Sequence, residues 1–370
     1  MKRYLLPLLI AFLTAILLCG CTSDEPIQPE EQVPETIEEA KEPVTCTTVE
    51  DIAKIDGVLS VEKIELEEYL TKPMSEYTPD QLVYQENTLA QFPVYRIEYT
   101  VDDCIVYAHL TLPPYCNAQN PAPLLINLHP GYGYKSIWNP VGDAVNEVSH
   151  PTTATVWSKL TSEILYSDPN GEYSNITESY AALECYLRET SPGTGFDEFG
   201  GEDVNDVVFW LDKIPYFEFI DQENIIMMGE SRGAMQTALV LREDKDNVIG
   251  GALLFSGAYD IPDLYNSRED MRDELEKRIG GTPADCPEEY ANRSAVNFAN
   301  EINPPLILVH STEDAKVPYT QAEAFAAKLT EAGKTFELVT RSGEKDANKN
   351  GIFSALEFLG MLNKLLELCG

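Results

Sequence analysis

Apolar residues recur along this chain in two periods, one of two residues and one near 3.6. The two periods take turns from about residue 94 onward. Residues 94–99 (VYRIEY) and 105–112 (IVYAHLTL) are strand-like runs on either side of Asp102-Asp103, which predicts an antiparallel hairpin. Residues 124–128 form a short run that is apolar except for Asn127, of the kind buried inside a parallel sheet. After that, strand and helix patterns alternate. Strands are predicted at 224–228, 249–255, 305–309 and 335–339, and helices at 204–211, 234–242, 271–278, 321–329 and 353–368. Repeated β–α alternation implies an α/β fold: a mostly parallel sheet with helices on both faces and an N-terminal antiparallel hairpin.

The flanking segments read differently. Residues 1–21 have a basic start (Lys2, Arg3), an apolar stretch at 5–18, and then Leu18-Cys19-Gly20-Cys21. The stretch falls short of the ~18–20 apolar residues of a spanning helix. It reads instead as a lipoprotein signal peptide, with Cys21 as the residue that carries the lipid. This places the protein outside the cytoplasm, lipid-anchored to a bacterial membrane. Residues 22–45 form an acidic, proline-rich spacer without aromatic side chains, and are expected to be disordered because they cannot offset their ordering entropy by burial. Residues 46–90 read as a small, acidic, helical N-terminal extension. Residues 91–370 form the main domain, with an inserted, lid-like segment near 138–180.

Sixty-two acidic residues against 26 basic ones give a net charge of −36. That surface repels polyanions, so a nucleic-acid partner is excluded and the membrane is engaged only through the lipid anchor. Six cysteines follow Cys21: Cys46, Cys104, Cys116, Cys185, Cys286 and Cys369. In an oxidising compartment they permit up to three disulfides, with pairing undetermined and no zinc-ligand spacing.

Candidate chemistry centres on Gly229-Glu230-Ser231-Arg232-Gly233, set between an apolar strand and a helical stretch. In that setting G-x-S-x-G is a nucleophile elbow, with Ser231 as nucleophile and the N–H of Arg232 as an oxyanion donor. The second donor is expected from His129-Pro130-Gly131-Tyr132-Gly133, after the earlier strand, at Gly131 or Tyr132. Downstream, the strand at 305–309 runs into His310-Ser311-Thr312-Glu313-Asp314, where the acid partner belongs.

With these residues the chain resembles the catalytic domain of α/β-hydrolases of the prolyl oligopeptidase type, from about residue 94 to the C-terminus. The sequence His310-x-x-x-Asp314-x-x-Val317-Pro318 is similar to that family's motif around its triad acid, with Ser311 in place of a glycine. The segment Asp197-Glu198-Phe199-Gly200-Gly201 and the run from Asn292 to Pro305 also resemble the family. The resemblance implies an α/β-hydrolase fold, Asp314 as triad acid, a small peptide or acyl substrate, and no required cofactor. The propeller domain usual in those peptidases has no counterpart here.

One part is missing. The resemblance places a histidine between the last strand and the closing helix, yet none follows His310, and Asn350-Gly351 stands there instead. Losing that base leaves a residual rate several orders of magnitude down. His150, Lys345 and Lys349 are the conceivable substitutes. The same loop satisfies the calcium pattern D-x-[DN]-x-[DN]-G-x5-E through Asp346, Asn348, Asn350, the Ile352 carbonyl and Glu357, so calcium is the ion it admits. Two readings follow. One is a serine hydrolase acting on peptide, ester or other acyl bonds. The other is a catalytically impaired relative serving as a calcium-stabilised binding or scaffold domain.

Overall fold

Side-chain alternation along the central strands decides the architecture. Leu124, Ile126, Ile225, Met227, Ala252 and Leu254 face one apolar cluster, while Leu125, Ile226, Met228, Leu253 and Phe255 face another. Both faces of these strands are dry, so helices must cover both. The computed structural model describes residues 43–70, 74–131, 176, 178–342 and 355–370.

Among these residues nine strands make one sheet: β1 (Val58–Lys63), β2 (Val94–Val101), β3 (Cys104–Thr111), β4 (Ala122–Leu128), β5 (Ala181–Cys185), β6 (Ile220–Glu230), β7 (Gly251–Phe255), β8 (Leu306–Ser311) and β9 (Phe336–Arg341). The order across the sheet is β1-β2-β3-β5-β4-β6-β7-β8-β9. The pairs β1/β2, β2/β3 and β3/β5 are antiparallel, and every pair from β5 to β9 is parallel. The hairpin turn is made by Asp102 and Asp103, both with positive φ (49° and 62°), a conformation short polar side chains tolerate. The sheet matches the predicted fold class.

One face is closed by the helices Asn205–Leu211 and Arg232–Glu243, among others, around Trp210, Met235 and Leu239. The other face is closed by the C-terminal helix Ala355–Cys369. That helix presents Phe358, Leu359, Leu362 and Leu365 at helical spacing to Ile226, Met228, Phe255, Ile307 and Val309.

Two departures from the sequence reading have clear causes. The extension at 46–90, expected to be helical, contains β1, which pairs antiparallel with β2 and forms the sheet edge. With every residue half-buried or exposed and no alternation, β1 is a weak signal beside the helix Pro79–Gln91 that shares the segment. Strand β5 was not anticipated, because Ala-Ala-Leu-Glu-Cys lacks β-branched residues and carries a glutamate as its fourth residue. The lid-like segment lies mostly outside the described residues. In its described tail Ile176, Ser179 and Tyr180 are buried and Glu178 is exposed. All six cysteines after Cys21 are free thiols.

Candidate active site

Parallel strands end together at one edge of the sheet, and the loops leaving β4, β6 and β8 therefore share a neighbourhood. The loop after β6 is the tightest. Ser231 has φ 54° and ψ −115°, a backbone region that L-residues rarely adopt and that costs on the order of 1–3 kcal/mol. The flanking glycines are sterically required. A Cβ on Gly229 would stand within 3.0 Å of the Gly233 carbonyl, and one on Gly233 within 3.0 Å of the Leu128 carbonyl on β4. Ser231 is locked further by donating its N–H to Phe255 O on β7 (2.8 Å), and its own carbonyl accepts from Ala234 N (3.1 Å) at the start of the helix. The N–H of Arg232 opens that helix, where first-turn N–H groups have no intrahelical acceptor, as an oxyanion donor requires.

The Arg232 side chain does something the motif did not disclose. Its guanidinium is buried (2% exposed) between the carboxylates of Asp197 and Asp203 (1% and 0%). Nη2 donates to Asp197 Oδ1 and Asp203 Oδ2, both at 2.6 Å. Nη1 donates to the carbonyl of Gly131 (3.2 Å), in the loop after β4. One side chain therefore ties the elbow to the expected oxyanion loop. Asp203 also accepts the N–H groups of Glu198 (3.2 Å), Gly200 (3.1 Å) and Gly201 (3.0 Å) and the amide of Gln236 (3.1 Å). Arg278 completes the cluster, donating to Asp197 O (2.6 Å) and Glu189 Oε2 (2.7 Å). Burial pushes the Asp197 carboxyl upward, and the Arg232 guanidinium opposes the shift.

Asp314 follows β8 as expected. Its Oδ1 accepts from the N–H groups of Lys316 (2.8 Å) and Val317 (2.9 Å), which fixes the carboxylate against rotation. Its Oδ2 is 3.7 Å from His310 Nε2, but that nitrogen is engaged with the Val317 carbonyl at 2.9 Å. Burial lowers the pKa of His310, so it is a neutral loop brace. His129 is likewise buried, contacts Pro130 O (3.1 Å), and is held by burial to a pKa of about 4. His109 sits on β3 with Nδ1 2.8 Å from the Tyr186 hydroxyl. Beside it, on β5 and β4, are Glu184, pushed by burial to about 8, and Asn127, whose amide donates to it. Among the described residues, then, none of these three histidines is hydrogen-bonded to the Ser231 hydroxyl.

Tyr132, His150, Lys345 and Lys349 lie outside the described residues, as do Cys21 and the calcium-pattern residues Asp346, Asn348, Asn350 and Ile352. Glu357, the last residue of that pattern, pairs with Arg341 at the end of β9. A further acid the motif reading passed over is Glu230, half-buried at the tip of β6. Burial raises its pKa to about 7, helped by the Asp314 charge and opposed by Lys316.

Residues 194–352, under half of the chain, match the model of the prolyl oligopeptidase family. The match supports that family, on an α/β-hydrolase fold. Among curated relatives, an uncharacterized peptidase of Bacillus subtilis, YtmA, is 27% identical over 165 residues, 44% of this chain and 62% of that protein. The esterase LipQ of Mycobacterium tuberculosis is 28% identical over 125 residues, 30% of each chain. The solved acylaminoacyl peptidase of Pyrococcus horikoshii aligns with TM-score 0.55 at 16% identity, over 79% of this chain and 43% of that one. The aligned region thus spans less than two thirds of the length of each of these proteins. Within the matched segment lie the α/β-hydrolase elbow, the Asp197–Asp203 pair that braces it, and Asp314.

Proposed function

We propose that this chain is a serine hydrolase of the prolyl oligopeptidase type, cleaving peptide, ester or other acyl bonds through Ser231. The observation that carries this reading is the elbow. A strained φ of 54° at Ser231 is maintained between two glycines that admit no side chain, at the strand edge where Asp314 is anchored. A protein kept only as a scaffold has no use for that strain, since a relaxed turn would be more stable. Similarity to both a peptidase and an esterase supports the breadth of the substrate class. A fluorophosphonate probe is expected to label Ser231 in the purified protein, and Ser231→Ala to abolish both labelling and hydrolysis of p-nitrophenyl esters. Absence of both from the unsubstituted protein would show the impaired relative instead, a reading favoured by the lack of any histidine after His310.

The site's setting is part of the proposal: a lipid on Cys21 holds the hydrolase at a bacterial membrane, outside the cytoplasm. Cys21→Ser is expected to shift the protein from the membrane fraction to the soluble fraction. An unchanged distribution would refute the anchor.

A further inference from the structure

Strand β7 lies between β6 and β8, so the turn that leaves it separates Ser231 from the Asp314 loop. Ser256 makes this turn with φ 47°, a second left-handed residue beside the elbow, and donates its N–H to Val309 O (2.8 Å). The turn touches the elbow twice. Phe255 O accepts the Ser231 N–H, and a Cβ on Gly257 would stand 2.8 Å from Ala234 Cβ in the first turn of the elbow helix. Beyond the turn the chain has left the ladder, so the N–H groups of Tyr259 and Asp260 need acceptors elsewhere. Gln321, 1% exposed, supplies them. Its Oε1 accepts from Tyr259 N (2.8 Å) and Asp260 N (2.7 Å), and its Nε2 donates to Asp260 O (3.0 Å) and Asp263 Oδ2 (2.8 Å). The same residue is tied to the acid loop. Gln321 lies in the first turn of the helix Thr320–Glu331, and its own N–H donates to Pro318 O (2.9 Å). Pro318 follows Val317, whose N–H holds Asp314 Oδ1 and whose carbonyl engages His310. One helical turn further on, Phe325 stacks on Tyr259 with ring centroids 4.5 Å apart, so one helix face holds this segment twice.

We propose that Gln321 is the positioning residue that sets the separation of Ser231 and Asp314, through the turn after β7 on one side and the Asp314 loop on the other. The inference rests on the serine-hydrolase reading above. A serine and an acid that work together depend on their relative placement, and a 1 Å error can cost about 10²-fold. Strand pairing alone does not set that placement. Phe255 opposite Val309 is the last register pair between β7 and β8, and Asp314 lies five residues beyond it (314 − 309). Gln321 spans this gap with side-chain hydrogen bonds that no main-chain ladder provides. Its four side-chain bonds all go to residues 259–263, while its main chain continues from the loop that holds Asp314. Two N–H donors meet its oxygen and two oxygens meet its nitrogen, so an amide fits here and a carboxylate would face Asp263 with like charge.

The test uses the full chain with p-nitrophenyl butyrate, and measures kcat per folded molecule, KM and melting temperature. Gln321→Leu is expected to lower kcat by about 10²-fold with KM nearly unchanged. Gln321→Glu keeps the acceptor for Tyr259 and Asp260 but sets a carboxylate against Asp263, and should lose a comparable factor. Adding Asp263→Asn restores a donor across that contact, so Q321E/D263N is expected to recover most of the rate. A purely structural role predicts another result: the melting temperature falls while kcat per folded molecule stays at the level of the unsubstituted protein. That result overturns the positioning role and leaves the hydrolase reading standing, as does a Q321E rate that D263N fails to raise. If the unsubstituted protein shows no Ser231-dependent turnover, both readings fall. Should Q321L fail to fold, the comparison of Q321E with Q321E/D263N decides.

Discussion

Asp203→Ala is expected to lower the free energy of unfolding by about 3–5 kcal/mol, the range observed when one partner of a buried ion pair is removed. The reason is the number of groups that depend on this carboxylate. It carries the charge facing the Arg232 guanidinium and accepts three backbone N–H groups and the Gln236 amide, at sites that are buried or half-buried. Alanine leaves the guanidinium with Asp197 as its one carboxylate partner among the described residues and strands those donors. Stabilities of single domains are themselves about 5–15 kcal/mol, so the variant approaches the edge of folding. Asp203→Asn, which keeps an acceptor but not the charge, should fall between the two. Urea denaturation at neutral pH measures the difference, and a loss below about 1 kcal/mol would show that the cluster is not what holds the elbow. Because Arg232 also binds the Gly131 carbonyl, any folded Asp203 variant should lose hydrolytic rate before it loses structure.

Gly233→Ala is expected to remove Ser231-dependent hydrolysis, with a fall of at least about 10²-fold, the scale of a 1 Å misplacement of a reacting group. The added methyl meets the carbonyl of Leu128, main chain on a central strand, and has no flexible side chain to push aside. Either the helix Arg232–Glu243 shifts away from β4 or the elbow opens, and both move the Ser231 hydroxyl. Overpacking of this kind costs typically about 1–3 kcal/mol. The expected outcome is a folded or marginally folded protein that a fluorophosphonate no longer labels. Normal labelling would mean the elbow tolerates a rearrangement that its contacts argue against. The substitution differs from Ser231→Ala in kind: it keeps the hydroxyl and removes only its position.

The sheet and its helices were legible because the central strands are short apolar runs separated by helical spacing, a signal that survives without tertiary information. Strand β5 escaped because its hydrogen-bonding role is assigned by its neighbours β3 and β4 and not by its own residues. Ser231 and Asp314 were legible because both sit in local motifs whose geometry is defined within a few residues. Glu230 lies inside the most conspicuous of those motifs and was still passed over. Its raised pKa comes first from burial and then from the charge of Asp314, and neither exists until β6 and β8 lie in one sheet.

The amino-acid order alone determined a parallel sheet dry on both faces, a serine lifted on a glycine-flanked turn at the end of one strand, and an acid at the end of another. It also determined that no histidine follows His310. Periodicity and steric necessity act over a handful of residues, and so they can be read without a fold. Only the tertiary structure decided that Arg232 binds the elbow to Gly131 and to two buried aspartates. It decided as well that Glu230 is half-buried, which raises its pKa, with the Asp314 charge adding to the shift. Charge pairing and proton affinity are set by burial and by partners distant in sequence, and neither exists until the chain has closed on itself.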